Sequence, residues 1–226
     1  MRRTLKSRVR SGPCIALASI GLISFFGLSV AHSAGCDDPK GKLIFEDSFT
    51  DDRGGWTADP DAKTKISGGS YAIHVDPQYN SWQNLNGTFH ASDADYCVEV
   101  VVPKAVAPDN PVWVGLAFWG TDRDNFFEVD LSSSGKASFG RTTAGKWSLI
   151  SPLTDPGVKP DPGSVAVIRV QAAGGLIAPS INGVALKNFR AQMPSGPLKF
   201  GIFVQTDRDN PGINVEVKKF RVTDGK

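Results

Sequence analysis

Two acidic residues, Glu128 and Asp130, have the types and the spacing that could do chemistry. They alternate with apolar residues in the run 125–131, which has the pattern of a β-strand. Side chains alternate across a strand, so both carboxylates are predicted to share one face, about 6.5–7 Å apart. Such a pair could act on a glycosidic bond, or it could form part of the floor of a sugar-binding groove.

The preceding run, 112–119, is expected to be a neighbouring strand that brings two tryptophans beside the carboxylates. By alternation, Trp113 and Trp119 point to the same side as Gly115 and Ala117. The two small side chains would leave room for a ligand, and indole rings can stack on the apolar faces of sugars. The same rings could instead pack inside the fold, because large aromatic side chains are usually well buried.

Two further aromatic residues, Tyr79 and Trp82, lie in a predicted loop, where an aromatic side chain is a better candidate for binding. Trp56 and Trp147 are expected to anchor strand ends. The predicted ligand site consists of Trp113, Trp119, Glu128, Asp130, Tyr79 and Trp82.

A short motif, Thr-Asp-Arg-Asp-Asn, occurs at 121–125 and again at 206–210, each time after an apolar run that begins at a glycine. The first copy has one residue more between that glycine and the motif, which predicts a β-bulge in one strand. Side chains of Asp and Asn in turns commonly bond to nearby backbone groups. The alternative is a Ca²⁺ site, and no other metal or cofactor is predicted. Its candidate ligands are Asp122, Asp124, Asp207 and Asp209.

The elements that must position these residues are almost all strands. Helical periodicity is nearly absent, and short strand-like runs alternate with Gly, Asn and Ser turns, which predicts an all-β sandwich or barrel. Asn182-Gly183 predicts a type I′ hairpin, and the Pro-rich segment 151–163 is expected to be a loop. The expected strands are 43–49, 63–66, 70–75, 84–89, 96–102, 112–119, 125–131, 136–141, 146–150, 165–171, 176–181, 184–189, 198–205 and 213–222.

The pattern resembles the concanavalin A-like lectin/glucanase superfamily, in its laminin-G-like and bacterial secreted branches. The resemblance spans roughly residues 43 to 222 and implies a two-sheet antiparallel jelly-roll sandwich with little or no helix. The concave face or rim loops of such folds often bind glycans. The residues that carry the resemblance are Phe45 to Phe49 with Trp56, Gly68 to Tyr71, Gly115 to Trp119, Asp124 to Asp130, Gly135 to Trp147, Val170 to Gly183 and Val215 to Val222.

Within that resemblance, Glu128 and Asp130 are similar to the first two acids of the Glu-x-Asp-x-x-Glu signature of retaining β-glucanases. The first would be the nucleophile and the second an assisting residue, but the acid/base position falls on Ser132 or Ser133. Retaining hydrolysis needs two carboxyl groups about 5–5.5 Å apart, one of them a proton donor, and a serine cannot donate near neutral pH. A glycoside hydrolase therefore stays an alternative, as does a structural role in which the two acids pair with Arg141 or Arg169.

The first 34 residues have the features of a signal peptide: a basic start, an uncharged apolar run over 15–31 and a small-x-small site at Ala31-His32-Ser33. The apolar run is short for a transmembrane span, and Arg2-Arg3 leaves Sec or Tat export open. Five of the 25 Lys and Arg residues, and none of the 23 acids, lie there. The remainder has a net charge of −3, which argues against a nucleic-acid partner.

Two cysteines remain beyond that leader, Cys36 and Cys97. An even count in an oxidising compartment favours a disulfide. Cys97 alternates with the expected core residues Tyr96 and Val98, so it should point outward, where an N-terminal segment could be tied down. The alternative is a lipidated Cys36, although Ser33 stands where a lipobox needs a large aliphatic residue.

Residues 35–226 are therefore predicted to form one jelly-roll domain that is secreted or periplasmic. Its expected function is lectin-like binding of a glycan or of a cell-envelope surface, without catalysis. The alternatives are the glucanase-like hydrolase and a structural or protein-interaction module. The sequence leaves the ligand and the oligomeric state open.

Overall fold

The computed structural model describes residues 35–37, 41–56, 62–77, 80–107, 109–157, 161–206 and 211–225. The predicted signal peptide and its cleavage site lie outside these residues. The described part of the chain forms fifteen β-strands and no helix, and therefore includes no helix suited to crossing a membrane.

The strands are short and follow one another closely, as expected from the spacing of the turns. They are β1 (Leu43–Asp47), β2 (Ala62–Ile66), β3 (Tyr71–Val75), β4 (Ser81–Leu85), β5 (Ala94–Val101), β6 (Val112–Asp122), β7 (Asn125–Ser132), β8 (Ala137–Thr143), β9 (Lys146–Thr154), β10 (Val165–Ala173), β11 (Leu176–Ile181), β12 (Val184–Ala185), β13 (Phe189–Arg190), β14 (Lys199–Thr206) and β15 (Ile213–Thr223).

These strands form two antiparallel sheets packed face to face. The nine-stranded sheet has the order β12-β11-β10-β5-β15-β3-β2, with β1 beside β15 and β13 beside β11. The six-stranded sheet has the order β4-β14-β6-β7-β8-β9. Every pairing is antiparallel, and the predicted two-sheet all-β sandwich is confirmed.

The core lies between the sheets and follows the period of two in the sequence. In β6, Val114, Leu116 and Phe118 point inward, and in β5, Tyr96 and Val98 face them from the other sheet. These residues are fully buried. Alternation along a strand leaves the intervening residues of β6 and β7 on the face turned away from the core, here called the outer face of the six-stranded sheet.

The alternation in β6 breaks at its end. Gly201 of β14 pairs with Ala117, but Lys199 pairs with Gly120, so β6 has one residue more than its partner over this stretch. Trp119 takes a positive φ of 50°, and the β-bulge turns its indole into the core beside Phe118. The bulge suggested by the repeated motif is present, and the prediction that Trp119 shares a face with Trp113 is wrong.

Local turn chemistry agrees with the sequence at the β11–β12 hairpin. Ile181 pairs with Val184, and the two residues between them both have positive φ, 49° at Asn182 and 79° at Gly183. This is the geometry that a type I′ turn requires, and the predicted hairpin is confirmed.

Several boundaries differ from expectation, and the run expected as one strand at 184–189 forms two short strands, β12 and β13. The strand expected at 84–89 is β4, which begins at Ser81 and ends at Leu85. The segment expected to be a Pro-rich loop starts as strand, because β9 continues to Thr154. A proline is tolerated there since β9 is an edge strand, where a missing N–H removes no ladder bond.

A disulfide joins Cys36 to Cys97, with their Cα atoms 5.6 Å apart. Cys97 lies on the outer face of the nine-stranded sheet, as expected, where the bridge packs against Val167. The backbone N–H of Cys36 donates to Glu99 Oε1 at 2.8 Å. The bridge therefore ties the segment that precedes β1 to β5, an interior strand of the nine-stranded sheet.

Replacing both cysteines by serine is expected to lower the free energy of unfolding by about 2–4 kcal/mol, because the bridge closes a long loop and restricts the unfolded chain. The two cysteines are 61 residues apart. Urea unfolding followed by circular dichroism measures the change. Reductant should destabilise the unaltered protein by a similar amount and leave the double variant unaffected; a double variant as stable as the oxidised protein would contradict the prediction.

Candidate functional site

Glu128 lies at the centre of the six-stranded sheet, on its outer face, yet its side chain is fully buried. Its neighbours across the ladder are small, Ala117 on β6 and Gly140 on β8. The carboxylate leans toward Gly140, where a Cβ would lie 2.7 Å from Oε1. The indole N–H of Trp147 donates to that same oxygen. The second oxygen, Oε2, has no hydrogen-bond partner within the described residues.

Asp130, two residues further along β7, is buried to the same degree. It lies between Gly115 and Ser138. One oxygen of the carboxylate, Oδ1, lies over β6, so close to Gly115 that a Cβ on that residue would overlap it. Ser138 Oγ donates to Oδ2 at a long 3.4 Å, and Oδ1 has no partner in the described part of the chain.

Burial dominates the electrostatics of this pair. It raises the pKa of Glu128 from the usual 4.5 to about 8, although the hydrogen bond from Trp147 acts in the opposite direction. Burial also raises the pKa of Asp130 well above its usual range, and the nearby charge of Glu128 adds to the effect. Near neutral pH the pair is therefore at least partly protonated.

The arginines expected as partners of these acids lie elsewhere. The guanidinium of Arg141 stands over the ring of Phe127, 5.0 Å from its centroid. Arg169 pairs instead with Asp95 on the other sheet, with Nη2 to Oδ2 at 2.6 Å. The predicted ion pairs with Glu128 or Asp130 are wrong, and the two buried carboxyl groups keep acceptor atoms that no described side chain satisfies.

Trp147 is the residue of this site that the sequence reasoning missed. It was expected to anchor a strand end, but it pairs with Thr142 at the start of the edge strand β9, and its side chain crosses Gly140 to reach Glu128. Its relative exposure is 44%. The tight turn between β8 and β9 was a usable signal, because alternation from that turn places Trp147 on the same face as Gly140.

The other predicted aromatic residues are placed differently from one another. Trp113 is buried but shares the outer face with Asp130, since it pairs with Ser132 of β7. Trp82 lies in β4 and packs in the main core, not in a loop. Tyr79 lies outside the described residues. Of the aromatics described, only Trp113 keeps its predicted position beside the carboxylates.

Trp119 is farthest from its prediction. Its indole N–H donates to the carbonyl of Ser92 at 2.8 Å, and its ring contacts Phe127 edge to face at 5.8 Å between centroids. It is fully buried on the core side of the sheet. Nothing in this position lets the ring contact a ligand on the outer face.

Apolar side chains flank the carboxylates on the β4 side. Leu85, Ala117, Phe126 and Phe203 form a small cluster on the outer face, with the rings of Phe126 and Phe203 5.7 Å apart. Ala117 of this cluster neighbours Glu128 across the ladder, so the cluster contributes to the burial that disfavours the charged form of Glu128.

The position that a hydrolase of this type would use for its proton donor carries hydroxyl groups. Ser132 Oγ lies 2.9 Å from Ser134 Oγ and accepts the backbone N–H of Lys136 at 2.9 Å. Ser133 Oγ accepts the backbone N–H of Val112 at 3.1 Å. Ser132 therefore closes the turn between β7 and β8, and Ser133 joins that turn to the start of β6.

The first Thr-Asp-Arg-Asp-Asn motif is a turn held by its own side chains. Asp122 Oδ1 accepts the backbone N–H of Asp124 and the side-chain amide of Asn125, both at 2.8 Å. The bond from Asn125 lowers the pKa of Asp122. The described residues contain no cluster of three side chains able to hold a metal. Asp207 and Asp209 lie outside those residues, and calcium binding stays a prediction.

Comparison with known proteins places the fold. No protein-family model matches the chain, and no curated protein sequence matches it. Solved structures do match. A carbohydrate-binding module, CBM66, from Bacillus subtilis is 14% identical with a TM-score of 0.57; the match covers 75% of this chain and 95% of that one.

Two glucanases are similar to the same degree. A β-glucanase from Bacillus licheniformis is 15% identical with a TM-score of 0.59, covering 81% of this chain and 99% of that one. The catalytic domain of an endo-1,3-β-glucanase (laminarinase) from Thermotoga petrophila is 10% identical with a TM-score of 0.58, covering 81% and 97%. The chain therefore has the concanavalin A-like jelly-roll fold that its sequence pattern predicted.

Proposed function

We propose that the outer face of the six-stranded sheet binds a neutral glycan, and that the protein is a secreted lectin-like module without catalytic activity. One observation carries the proposal: two buried carboxyl groups on that face, Glu128 and Asp130, each keep an oxygen without a partner in the described residues. Buried polar groups without partners are rare because they cost stability, and they cluster at functional sites.

Sugar hydroxyls fit these atoms. A hydroxyl can both donate and accept a hydrogen bond, so it can pair with a carboxyl group in either protonation state. Burial already disfavours charge at this pair, and it would disfavour the charge of an acidic sugar as well, so a neutral glycan suits the site better. The apolar cluster around Phe126 and Phe203 offers the kind of surface against which the C–H face of a sugar can pack.

Trp147 controls access to the pair in this proposal. The indole lies over Gly140 and covers Glu128, but it stands on an edge strand and almost half of its surface is exposed. A sugar hydroxyl would replace the indole N–H at Glu128 Oε1, and the released ring would contact the sugar. The ligand could be a free polysaccharide or a glycan displayed on a cell envelope.

Two features favour binding over cleavage. The position of the proton donor is occupied by serine hydroxyls that are already engaged in turns. The second acid, Asp130, stands at the assisting position of the resembled signature, whereas a retaining hydrolase needs a second carboxyl group as proton donor about 5–5.5 Å from its nucleophile. A matching binding module and matching glucanases show that this fold is compatible with either role.

Native affinity electrophoresis of residues 35–226 through gels containing soluble β-1,3-glucan, mixed-linkage β-glucan or a levan tests the proposal. We expect at least one polysaccharide to retard the protein. Trp147→Ala and Glu128→Ala should each weaken that retardation by about tenfold or more, the loss expected for a ring contact or a hydrogen bond to a carboxylate. Tryptophan emission should change on binding, and this change should be absent in the Trp147→Phe variant.

Lys42→Ala provides the matched control, because Lys42 is exposed and precedes β1, which belongs to the nine-stranded sheet; its retardation should equal that of the unaltered protein. If no polysaccharide in the panel retards the protein, or if Trp147→Ala binds as well as the unaltered chain, the site is not a glycan site. A stable complex with another protein under those conditions would favour the structural or interaction role.

One observation favours the hydrolase as a second candidate. The pKa of Glu128, raised to about 8, suits a general acid that works near neutral pH, so in this candidate Glu128 would donate the proton and would not be the nucleophile that the resemblance implies. Release of reducing sugar from β-glucans, lost in Glu128→Gln while retardation in the gel persists, would establish cleavage. If no reducing sugar is released at high protein concentration, the site binds the glycan without cleaving it.

A further inference from the structure

A second surface, on the opposite side of the sandwich, also has the form of a site. A groove of about 500 Å³ crosses the outer face of the nine-stranded sheet over β2, β3 and β15, and this volume is typical of sites for small ligands. Pro103 and Lys104, which follow β5, border the groove together with Pro162 and Gly163, which precede β10. We call it the basic groove.

The register of the sheet explains its floor. One cross-strand row runs from Lys65 through Ala72 to Glu216 and on to Val101. Ala72 is exposed in the middle of that row. Its single methyl group lies between longer side chains, so the centre of the row is low and the groove is recessed.

The charge of the basic groove is positive. Lys63, Lys65 and Lys104 line it, against one carboxylate, Glu216, among its described lining residues. Glu216 is already engaged by Ser70 Oγ at 2.6 Å and by a lysine outside the groove. Residues 35–226 have a net charge of −3. The positive charge of the basic groove is therefore a local feature of this surface.

Two of these lysines, Lys65 and Lys104, are available to a ligand, whereas Lys63 is paired with a carboxylate. Lys63 Nζ contacts Asp76 Oδ1 at 3.1 Å. Lys65 and Lys104 are exposed, and neither makes an ion pair or a side-chain hydrogen bond within the residues the structure describes. An anionic group on a ligand would be attracted by these charges, and the attraction grows as the ligand displaces water.

Most of the remaining surface of the groove is hydrocarbon, although Thr64, His74 and Asn214 also border it. Ala72, Val101, Pro103 and Pro162 contribute hydrocarbon surface, as do the methylene stems of the lysines. No Phe, Tyr or Trp side chain is among its described lining residues, in contrast to the usual aromatic platforms of sugar sites. Hydrocarbon walls with a cationic rim are complementary to a molecule that has an apolar chain and an anionic head.

We infer that the basic groove binds a single-chain amphiphilic anion, with its carboxylate, sulfate or phosphate head at the cationic rim that Lys65 and Lys104 form and its hydrocarbon chain along Ala72 and Val101. The groove is recessed, so it suits one separate molecule better than the surface of a bilayer. The site lies across the core from Glu128 and is independent of the proposed glycan site.

Titration of the ¹⁵N-labelled protein with sodium octanoate, followed by NMR, tests the inference. We expect saturable shifts of amides in β2, β3 and β15 with a dissociation constant of about 1 mM or lower. Acetate, which lacks the chain, and 1-octanol, which lacks the charge, should each bind about tenfold more weakly or worse.

Variants separate the two contributions. Lys65→Ala/Lys104→Ala should weaken octanoate binding about tenfold, and Ala72→Phe should weaken it by filling the floor. Lys42→Ala/Lys187→Ala removes the same charge outside the groove and should bind as the unaltered protein does. The inference is overturned if octanoate causes no saturable shifts, if 1-octanol binds equally well, if the Lys65/Lys104 variant binds normally, or if anionic vesicles bind at this face while octanoate does not.

Discussion

Trp119→Ala is expected to lower the free energy of unfolding by about 3–5 kcal/mol, the usual range for removing a large buried aromatic ring. The ring is fully buried beside Phe118 and Phe127, so its loss leaves a cavity. It also leaves the carbonyl of Ser92 without the indole N–H that it accepts at 2.8 Å. Trp119→Phe keeps most of the ring and should cost about 1–3 kcal/mol.

Trp147→Ala is the matched control, since it removes the same side chain from the exposed edge strand β9. It should change the free energy of unfolding by about 1 kcal/mol or less. Urea unfolding monitored by far-ultraviolet circular dichroism measures both variants without relying on tryptophan emission. Equal stability of Trp119→Ala and the unaltered protein would show that the bulge in β6 does not direct Trp119 into the core.

The stability of the protein should decrease as the pH rises from about 5 to about 8, because of Glu128. Its pKa in the folded state is raised to about 8, above the usual 4.5, so the folded protein holds a proton that the unfolded chain releases. The stabilising contribution is complete below pH 4.5 and is lost as the pH rises through the folded pKa. The expected loss is about 3 kcal/mol over this interval.

Glu128→Gln should abolish that part of the pH dependence, because glutamine stays neutral and still accepts the indole N–H of Trp147. The measurement is the free energy of unfolding in urea at pH 5, 6, 7 and 8, and the difference between the two proteins isolates Glu128, with its effect on Asp130, from the other titrating groups. Asp122→Asn is the control. The pKa of Asp122 is lowered, so its contribution is lost only at more acidic pH. Parallel curves for Glu128→Gln and the unaltered protein would contradict the assignment.

These two expectations bear on the proposed function in different ways. Trp119 stabilises the sandwich and has no route to a ligand. Glu128 lowers the stability of the folded protein at neutral pH, and such a cost is typical of residues kept for function. A variant that becomes more stable at pH 8 but loses retardation by a glucan, as expected for Glu128→Gln, would therefore link the pair to binding.

The fold was predictable because its information is local and periodic. Alternation in β5, β6 and β7 identified the inward residues Val98, Leu116 and Val129, and the Asn182-Gly183 pair identified a hairpin. Each depends on two to eight consecutive residues. The disulfide was predictable for a similar reason, since two cysteines and the outward direction of Cys97 were enough.

The candidate site was only half predictable. The shared face of Glu128 and Asp130 follows from their spacing, and the structure keeps Trp113 on that face. One extra residue before the first Thr-Asp-Arg-Asp-Asn motif moved Trp119 to the other side. The sequence contained that signal, because the second motif has the shorter spacing, but the length difference did not say which residue would form the bulge.

Composition and alternation alone thus determined an antiparallel sandwich, its inward faces and the common direction of two acids, because each strand residue has only two sides to occupy. The tertiary structure decided how those acids are solvated. Gly115 and Gly140 from neighbouring strands make room for them, and Trp147 from the sheet edge covers one of them. Burial and partners across a sheet depend on strand order and register, which the sequence of a single strand does not contain.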